Sequence, residues 1–213
     1  MSGIVSAPVR IAAVGMYAPE RILTNADFER MVETSDEWIV KRTGIRRRHV
    51  VAGDEHTSHI AIAAVDDLLA KNPSVDLETI DYLIVGSSTP DYSYPSVSAI
   101  LQAHYGLRKS VGALDISVAC AAFAYGINLA AGLIGTGQIR RAIVIAADAL
   151  TRSVDYTDRK TCVLFGDGGG AALLEYCESP KIFGMDAGAD GNGGKFLYRT
   201  GLRSEINGKI DES

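Results

Sequence analysis

Residues 111–137, VGALDISVACAAFAYGINLAAGLIGTG, combine a short apolar strand with a long apolar helix. The pattern predicts a strand over VGALDIS and a helix over ACAAFAYGINLAAGLIGTG. Asp115 is the only charged residue between Val111 and Ile139. A helix that is apolar on every side is buried on every side, so we expect this helix to lie between layers of structure. Its many alanines and glycines allow neighbouring backbones to approach closely.

The segments on either side alternate between strands and helices. Strands are predicted in VRIAAVGMYAPE, IDYLIVGSSTP and RRAIVIAAD, and helices in TSDEWIVKRTG, HTSHIAIAAVDDLLAKN and PSVSAILQAHYG. A short helix is expected over 26–33. Ser35 is the expected N-cap of the following helix, and Gly44 ends it. This alternation predicts an α/β protein with a largely parallel sheet.

The composition narrows the class of protein. The chain has 213 residues, of which 47% are hydrophobic and 22% charged, as in ordinary globular proteins. A net charge of −5 argues against nucleic acid as a partner of the whole protein. We expect neither a membrane span nor a signal peptide. Three cysteines without framework spacing fit a reducing compartment, with the cytoplasm as the default. No metal site is predicted, because His56 and His59 lack a third ligand.

Cys120 follows the predicted strand and lies at or near the start of the apolar helix. Unpaired N–H groups and the positive end of the helix dipole stabilise a thiolate there. The same groups can hold an oxyanion that develops on a thioester carbonyl. The alternative is an inert buried cysteine, which is the common situation for a free thiol. A nucleophile elbow of the α/β-hydrolase type is disfavoured, because Val118 and Ala122 occupy the positions where it needs glycine.

Two other motifs each have a structural and a functional interpretation. Gly166-x-Gly168-x-x-Ala171 formally matches a dinucleotide fingerprint, but that motif must open a helix, and a strand–turn–strand is favoured here. The run VKRTGIRRRH, with Trp38 one turn before Arg42, is either a solvated basic face or an anion site. In an anion site, arginines would hold phosphate and the tryptophan would stack on a purine. The basic residues of this run are Lys41, Arg42, Arg46, Arg47 and Arg48.

Several segments, in order along the chain, together resemble β-ketoacyl-acyl-carrier-protein synthase III of the thiolase-like superfamily. They are TNADFERMVETSDEWIVKRTGIRRRH, STPDYSYPSVSAILQAHYGL, LDISVACAAFAYGINLA, DYTDRKTCVLFGDGGGAALL and GADG. The resemblance implies a layered α-β-α-β-α fold of which this chain provides the first half. Residues 1–180 would form that N-terminal thiolase-like half, and 181–213 would begin the connection into a second half.

The resemblance also implies an activity. The protein would be a cytoplasmic, homodimeric acyltransferase that initiates type II fatty-acid synthesis. It would condense a short acyl-coenzyme A with malonyl-acyl-carrier-protein through an acyl-cysteine intermediate. Acyl-coenzyme A would be a substrate, and no cofactor would be bound permanently.

Single residues receive roles from the same resemblance. Cys120 would be the acyl-accepting nucleophile, and its backbone N–H would form part of the oxyanion hole. Trp38 and Arg159 would bracket the adenine of coenzyme A, with Arg42 and Thr34 nearby. Tyr94 would reach across a dimer interface to close the partner's acyl pocket. Phe165 would line the active-site tunnel.

Two alternatives stay open. In this family, a histidine and an asparagine from the second half of the fold stabilise the enolate, and no residue of this sequence matches their motifs. One alternative is therefore a non-catalytic thiolase-like half that binds a partner. The other alternative is a sister enzyme of secondary metabolism with another acyl donor or acceptor.

Two positions depart from the family pattern: Lys160, where a small residue is usual, and Ala122, where glycine is common.

Overall fold

A mixed five-stranded sheet lies at the centre of the structure, a computed structural model that describes residues 7–179, 184, 186–199, 205–206 and 209–210. The described residues form strands of which five make up the central sheet and the others pair as β2 with β3 and β8 with β9. The strands are β1 (Val9–Tyr17), β2 (Ile22–Thr24), β3 (Arg47–His49), β4 (Tyr82–Gly86), β5 (Gly112–Ile116), β6 (Arg141–Asp148), β7 (Gly168–Tyr176), β8 (Glu205–Ile206) and β9 (Lys209–Ile210). The helices are α1 (Asn25–Glu29), α2 (Asp36–Thr43), α3 (Thr57–Lys71), α4 (Val97–His104) and α5 (Ala122–Gly135).

The strand order of the central sheet is β1-β7-β6-β4-β5. Strand β4 runs parallel to β5 and β6, whereas β7 runs antiparallel to β1 and β6. The prediction of a largely parallel sheet is therefore wrong, because half of the strand pairs are antiparallel. The cause is the connection between β6 and β7. It consists of a 3₁₀ turn and further turns without an α-helix, so the chain returns beside β6 in the opposite direction.

Helices cover both faces of this sheet. Helix α3 packs against β1, β6 and β7, and its Ile60, Ala64 and Leu68 are fully buried. Helix α5 packs against β4, β6 and β7 on the other face. Gly126 lets the backbone of α5 lie directly against the side chains of the sheet, because a Cβ atom there would lie 2.7 Å from Cγ1 of Val144.

Helix α5 is buried on one face only within the described residues. Ala122, Gly126, Ala130 and Ile134 face the sheet and are buried. The opposite face is exposed and includes Leu129, which is 37% accessible. In the part of the fold that the structure describes, α5 has a sheet beneath it and an exposed apolar outer face. Burial of this helix on every side stays a prediction for the complete layered fold.

The helix ends are set by the capping residues that the sequence indicates. The Ser35 hydroxyl accepts a hydrogen bond of 3.1 Å from the Trp38 amide, and Gly44 ends α2 in the left-handed conformation at φ 74°. Helix α1 is shorter than the expected 26–33, because the Arg30 amide already closes its last turn and the Glu29 carboxylate accepts a bond from the Asp36 amide at 2.7 Å.

A small layer beside the sheet carries much of the candidate site. It comprises the antiparallel pair of β2 and β3, the helices α1 and α2 that lie between these strands in the sequence, and the turn that precedes β7. The buried residues of its core are Leu23, Phe28, Ile39, Val50, Cys162 and Val163, with Trp38 packed against them.

The glycines at 166–170 do not open a helix. Strand β7 begins at Gly168, so the structural context of a dinucleotide fingerprint is absent. Residues before the glycines form turns, so the first half of the predicted strand–turn–strand is wrong and the second half is right. The glycine at 169 is required by packing, since a Cβ there would lie 2.8 Å from Cγ2 of Ile60. The predicted connection over 181–213 falls largely outside the described residues.

None of the helices within the described ranges is long and apolar enough to cross a membrane.

Candidate active site

Cys120 occupies a strained turn between β5 and α5. Residues 119–121 form a single 3₁₀ turn, and the first residue of α5 follows directly. Ala119 has φ 48°, in the left-handed region that non-glycine residues rarely adopt. Such strain costs about 1–3 kcal/mol and clusters at functional sites. The Cys120 side chain is exposed in the part of the fold that the structure describes.

The amides at the start of α5 are free of side-chain caps. The N-cap residue is Ala121, whose side chain offers no hydrogen-bond acceptor, and no side-chain cap is found there. The backbone of the preceding 3₁₀ turn takes up two of the amides, since the Ala121 amide donates to the Val118 carbonyl at 3.2 Å and the Ala122 amide donates to the Ala119 carbonyl. The turn therefore presents an accessible thiol at the positive end of the helix dipole, a position that can stabilise negative charge on sulfur.

Gly86 sets the position of this turn, and sequence reasoning missed it. It is the last residue of β4, and a Cβ there would lie 2.4 Å from Cβ of Ala122. The absence of a side chain lets the start of α5 rest on the end of β4. A glycine that ends an apolar strand is the signal that could have identified this close approach.

A carboxylate at the end of β6 organises the loop beside the turn. Asp148 Oδ1 accepts hydrogen bonds from the Ser88 amide at 2.7 Å and from the Thr89 hydroxyl at 2.8 Å. This loop forms one wall of a cavity of about 200 Å³, which Ser117, three residues before Cys120, also lines. Asp148 was also missed from the sequence, although an aspartate at the end of a buried strand is a usable signal.

The structure brings together three of the four residues assigned to coenzyme A. The guanidinium carbon of Arg159 lies 5.1 Å from the centroid of the Trp38 ring, and that of Arg42 lies 5.4 Å from it. Trp38 is half-buried, and both distances suit cation–π contacts. Thr34 lies just before α2, and its buried hydroxyl has no hydrogen-bond partner among the described residues.

The basic run has one member that differs from the others. Lys41, Arg42, Arg46 and Arg47 are exposed, but Arg48 is only 3% accessible. Its guanidinium donates to the Val163 carbonyl, with the Nε distance at 2.9 Å. Arg48 therefore belongs neither to a solvated basic face nor directly to an anion-binding surface.

Of the two residues assigned to the acyl pocket, Tyr94 was expected to act across a dimer interface, so its own chain does not test that role. Tyr94 is 87% accessible and is not among the residues that line the cavity of about 200 Å³. Phe165 is half-buried after the turn that carries Arg159.

The two neighbouring histidines have a structural role. His59 Nδ1 accepts a hydrogen bond of 3.0 Å from the His56 amide, which caps the start of α3. Within the described ranges, no three metal-ligating side chains cluster.

Comparisons with known proteins agree on one family. The family model of 3-oxoacyl-[acyl-carrier-protein] synthase III matches residues 114–191. A β-ketoacyl-[acyl-carrier-protein] synthase III 2 of Halalkalibacterium halodurans is 49% identical over 94% of this chain. The protein of the same name in Bacillus subtilis is 48% identical over 93% of this chain. The chain spans 60% and 61% of the lengths of these two relatives.

Solved structures share the fold. A β-ketoacyl-[acyl-carrier-protein] synthase III of Thermus thermophilus superposes with a TM-score of 0.86 at 42% identity, over 94% of this chain and 62% of that chain. A priming β-ketosynthase of a polyketide biosynthetic pathway superposes with a TM-score of 0.77 at 31% identity, over 84% of this chain and 53% of that chain.

Proposed function

Because this chain belongs, over the part of the fold that it covers, to the β-ketoacyl-acyl-carrier-protein synthase III family, we propose that it serves the condensation that starts type II fatty-acid synthesis. The substrates would be a short acyl-coenzyme A and malonyl-acyl-carrier-protein. The division proposed for the chain is a thiolase-like half over 1–180, followed by a connection into a second half.

The observation that carries the proposal is the exposed thiol of Cys120 at the uncapped start of α5. In the first step, the Cys120 sulfur attacks the thioester carbonyl of acyl-coenzyme A. The new C–S bond forms first and pushes the carbonyl electron pair onto oxygen, which gives a tetrahedral oxyanion. The bond to the coenzyme A sulfur then breaks as the carbonyl reforms, and the coenzyme A thiolate takes up the proton that the Cys120 thiol gave up. The backbone N–H of Cys120 would form part of the oxyanion hole.

The second half of the reaction forms a carbon–carbon bond. Malonyl-acyl-carrier-protein loses carbon dioxide, and the electron pair of the broken bond becomes an enolate. The enolate carbon attacks the acyl-cysteine carbonyl, the β-ketoacyl product forms on the carrier protein, and the thiolate of Cys120 is released. Covalent capture divides a difficult reaction into two easier steps.

The cluster of Trp38, Arg42 and Arg159 supports coenzyme A as the donor. An aromatic ring with two guanidinium groups within about 5 Å offers a stacking face for adenine and positive charge for its phosphates. The hydroxyl of Thr34, just before α2, is buried and without a partner among the described residues, so it would contact the same nucleotide only after a local rearrangement.

A homodimer is part of the proposal. Strand β5 is an edge of the central sheet, and Leu114 on it is 36% accessible. Tyr94 projects almost fully into solvent and would enter the acyl pocket of the second copy. Sedimentation of the full-length protein as a monomer at micromolar concentration would contradict the proposed homodimer.

The three unpaired cysteines support the cytoplasm as the location of the protein.

A second candidate is a priming synthase of secondary metabolism, favoured by the similarity to the polyketide priming enzyme. The test offers the full-length protein a panel of acyl-coenzyme A donors with malonyl-acyl-carrier-protein. Formation of acetoacetyl-acyl-carrier-protein or a short branched homologue supports the initiation of fatty-acid synthesis. Turnover confined to other donors or acceptors supports the second candidate. No condensation with any donor, in protein that is folded and dimeric, leaves a non-catalytic binding half.

A further inference from the structure

Arg48 of β3 is buried without a carboxylate partner. It is 3% accessible, and none of the five ion pairs found among the described residues includes it. Burial lowers the pKa of Arg48 from its ordinary value, since a cation is disfavoured away from water. A buried unpaired charge costs stability, and an apolar residue of similar size is commonly tolerated better in such a place. Packing alone therefore does not account for an arginine here.

The guanidinium of Arg48 joins two separate segments. Nε donates to the Val163 carbonyl at 2.9 Å, and Nη2 donates to the same oxygen. Nη1 donates to the side-chain oxygen of Asn25, and the guanidinium carbon lies 4.7 Å from the centroid of the Phe28 ring. Val163 belongs to the turn that begins near Arg159, so Arg48 holds the segment that carries one side of the Trp38–Arg159 contact.

Asn25 extends this connection to the other side. Its Nδ2 donates to Asp36 Oδ1 at 2.7 Å and to the Ile45 carbonyl at 2.9 Å. Asp36 is the first residue of α2, and Ile45 follows its C-cap. One buried amide therefore holds both ends of the short helix on which Trp38 lies.

We propose that Arg48, acting through Asn25, is a positioning residue that sets the spacing between the Trp38 ring and Arg159 for the nucleotide of coenzyme A. The inference rests on the proposed function, because it needs coenzyme A as the donor. Arg48 itself does not touch the nucleotide. Its buried fork fixes the two segments relative to each other, and the exposed aromatic and guanidinium groups make the contact.

A lysine at this position would not reproduce the contacts of Arg48. Arg48 serves the Val163 carbonyl and the Asn25 oxygen together through a planar group with fixed directions. A lysine ammonium is a compact charge on a flexible stem and does not reproduce that fork. Arg48→Lys keeps the charge and loses the geometry, whereas Arg48→Met loses both and keeps an apolar stem.

The test compares two acyl donors on the full-length protein. Acetyl-coenzyme A carries the nucleotide, and S-acetylpantetheine does not. For both variants we expect the KM for acetyl-coenzyme A to rise about tenfold, which is about 1.4 kcal/mol of binding. The KM for S-acetylpantetheine should stay within about twofold, because a contact that acts only on the nucleotide is absent from this donor.

A matched control is Arg108→Met. Arg108 also binds backbone carbonyls, with Nη2 2.8 Å from the Ile80 oxygen, but it lies at the opposite end of β4 and β5 from Cys120. The Arg108→Met variant should leave both the KM for acetyl-coenzyme A and the KM for S-acetylpantetheine unchanged.

The outcomes separate the two claims. An equal rise in both KM values, or no rise in either, overturns the positioning role while the proposed function stands. If Arg48→Met does not fold, the two KM values of Arg48→Lys are compared in the same way and decide whether Arg48 has the positioning role. If the wild-type protein uses acetyl-coenzyme A no better than S-acetylpantetheine, the coenzyme A site of the proposed function fails, and the role of Arg48 fails with it.

Discussion

Gly86→Ala tests whether the close approach of β4 and α5 positions the thiol of Cys120. The added Cβ would lie 2.4 Å from Cβ of Ala122, whereas carbon atoms in contact are about 3.5–4.0 Å apart. The start of α5 must therefore move by roughly 1 Å or more. Overpacking of this kind costs about 1–3 kcal/mol of stability. A displacement of about 1 Å at a reacting group lowers the rate by about 10²-fold.

Two measurements on the full-length protein read out this change. Denaturant unfolding gives the loss of stability, and the rate of acetyl transfer from acetyl-coenzyme A to Cys120 gives the loss of activity. The matched control is Gly53→Ala, because a Cβ at Gly53 meets no atom within 4 Å. It should change neither quantity.

A double variant identifies the cause. Adding Ala122→Gly to Gly86→Ala removes the clashing methyl group and leaves the new Cβ 3.3 Å from Cα of residue 122, a tight but tolerable contact. The rate should recover, although stability should recover less, because glycine in a helix costs up to about 1 kcal/mol relative to alanine. A Gly86→Ala protein with unchanged rate and stability, or a double variant as slow as the single one, would mean that the contact between residues 86 and 122 does not position Cys120.

The remaining predictions concern charge and thiol reactivity. Glu175 bridges neighbouring strands through Arg10 and Arg141, with the Arg141 Nη2 to Oε2 distance at 2.7 Å. Burial of Glu175 alone would raise its pKa, but the hydrogen bonds from both arginines outweigh burial and hold the pKa of Glu175 below its ordinary value. Because the folded pKa is the lower one, this stabilisation is present above the unfolded pKa of about 4.3 and is lost as the pH falls through the folded value. Glu175→Gln should cost about 1.5–3 kcal/mol at pH 7 by urea unfolding, and a difference from the wild type that does not shrink in acid would contradict this. Iodoacetamide near neutral pH should alkylate exposed Cys120 well before Cys162, whose pKa is raised by burial, and equal rates by peptide mapping would count against the placement of Cys120.

The parts of the structure that local chemistry determines were predictable from the sequence. Ser35 and Gly44 mark the ends of α2 by capping, and the strand before Cys120 leads into α5 as predicted. The proximity of Trp38 to Arg159, 121 residues apart, followed only from the resemblance to a family. Periodicity within each segment carries no information on such a distant contact.

Other features could not be predicted because they depend on tertiary contacts. The antiparallel direction of β7 depends on a connection to β6 that contains no α-helix. The apolar run before Gly166 in this connection has the pattern of a strand, although its residues form turns. The burial of Arg48 depends on the segment around Val163 folding over it, and the charge of the surrounding run suggested exposure instead. The need for glycine at position 86 arises from Ala122, a neighbour in space only.

The most direct test of the account is the site of acyl transfer. The full-length protein is incubated with acetyl-coenzyme A alone, and its intact mass and peptide map are measured beside those of Cys120→Ser and of Cys177→Ser as a matched control. We expect one acetyl group on Cys120 in the wild type and in Cys177→Ser, and none in Cys120→Ser. An unmodified wild-type protein, or an acetyl group that persists in Cys120→Ser, would contradict it.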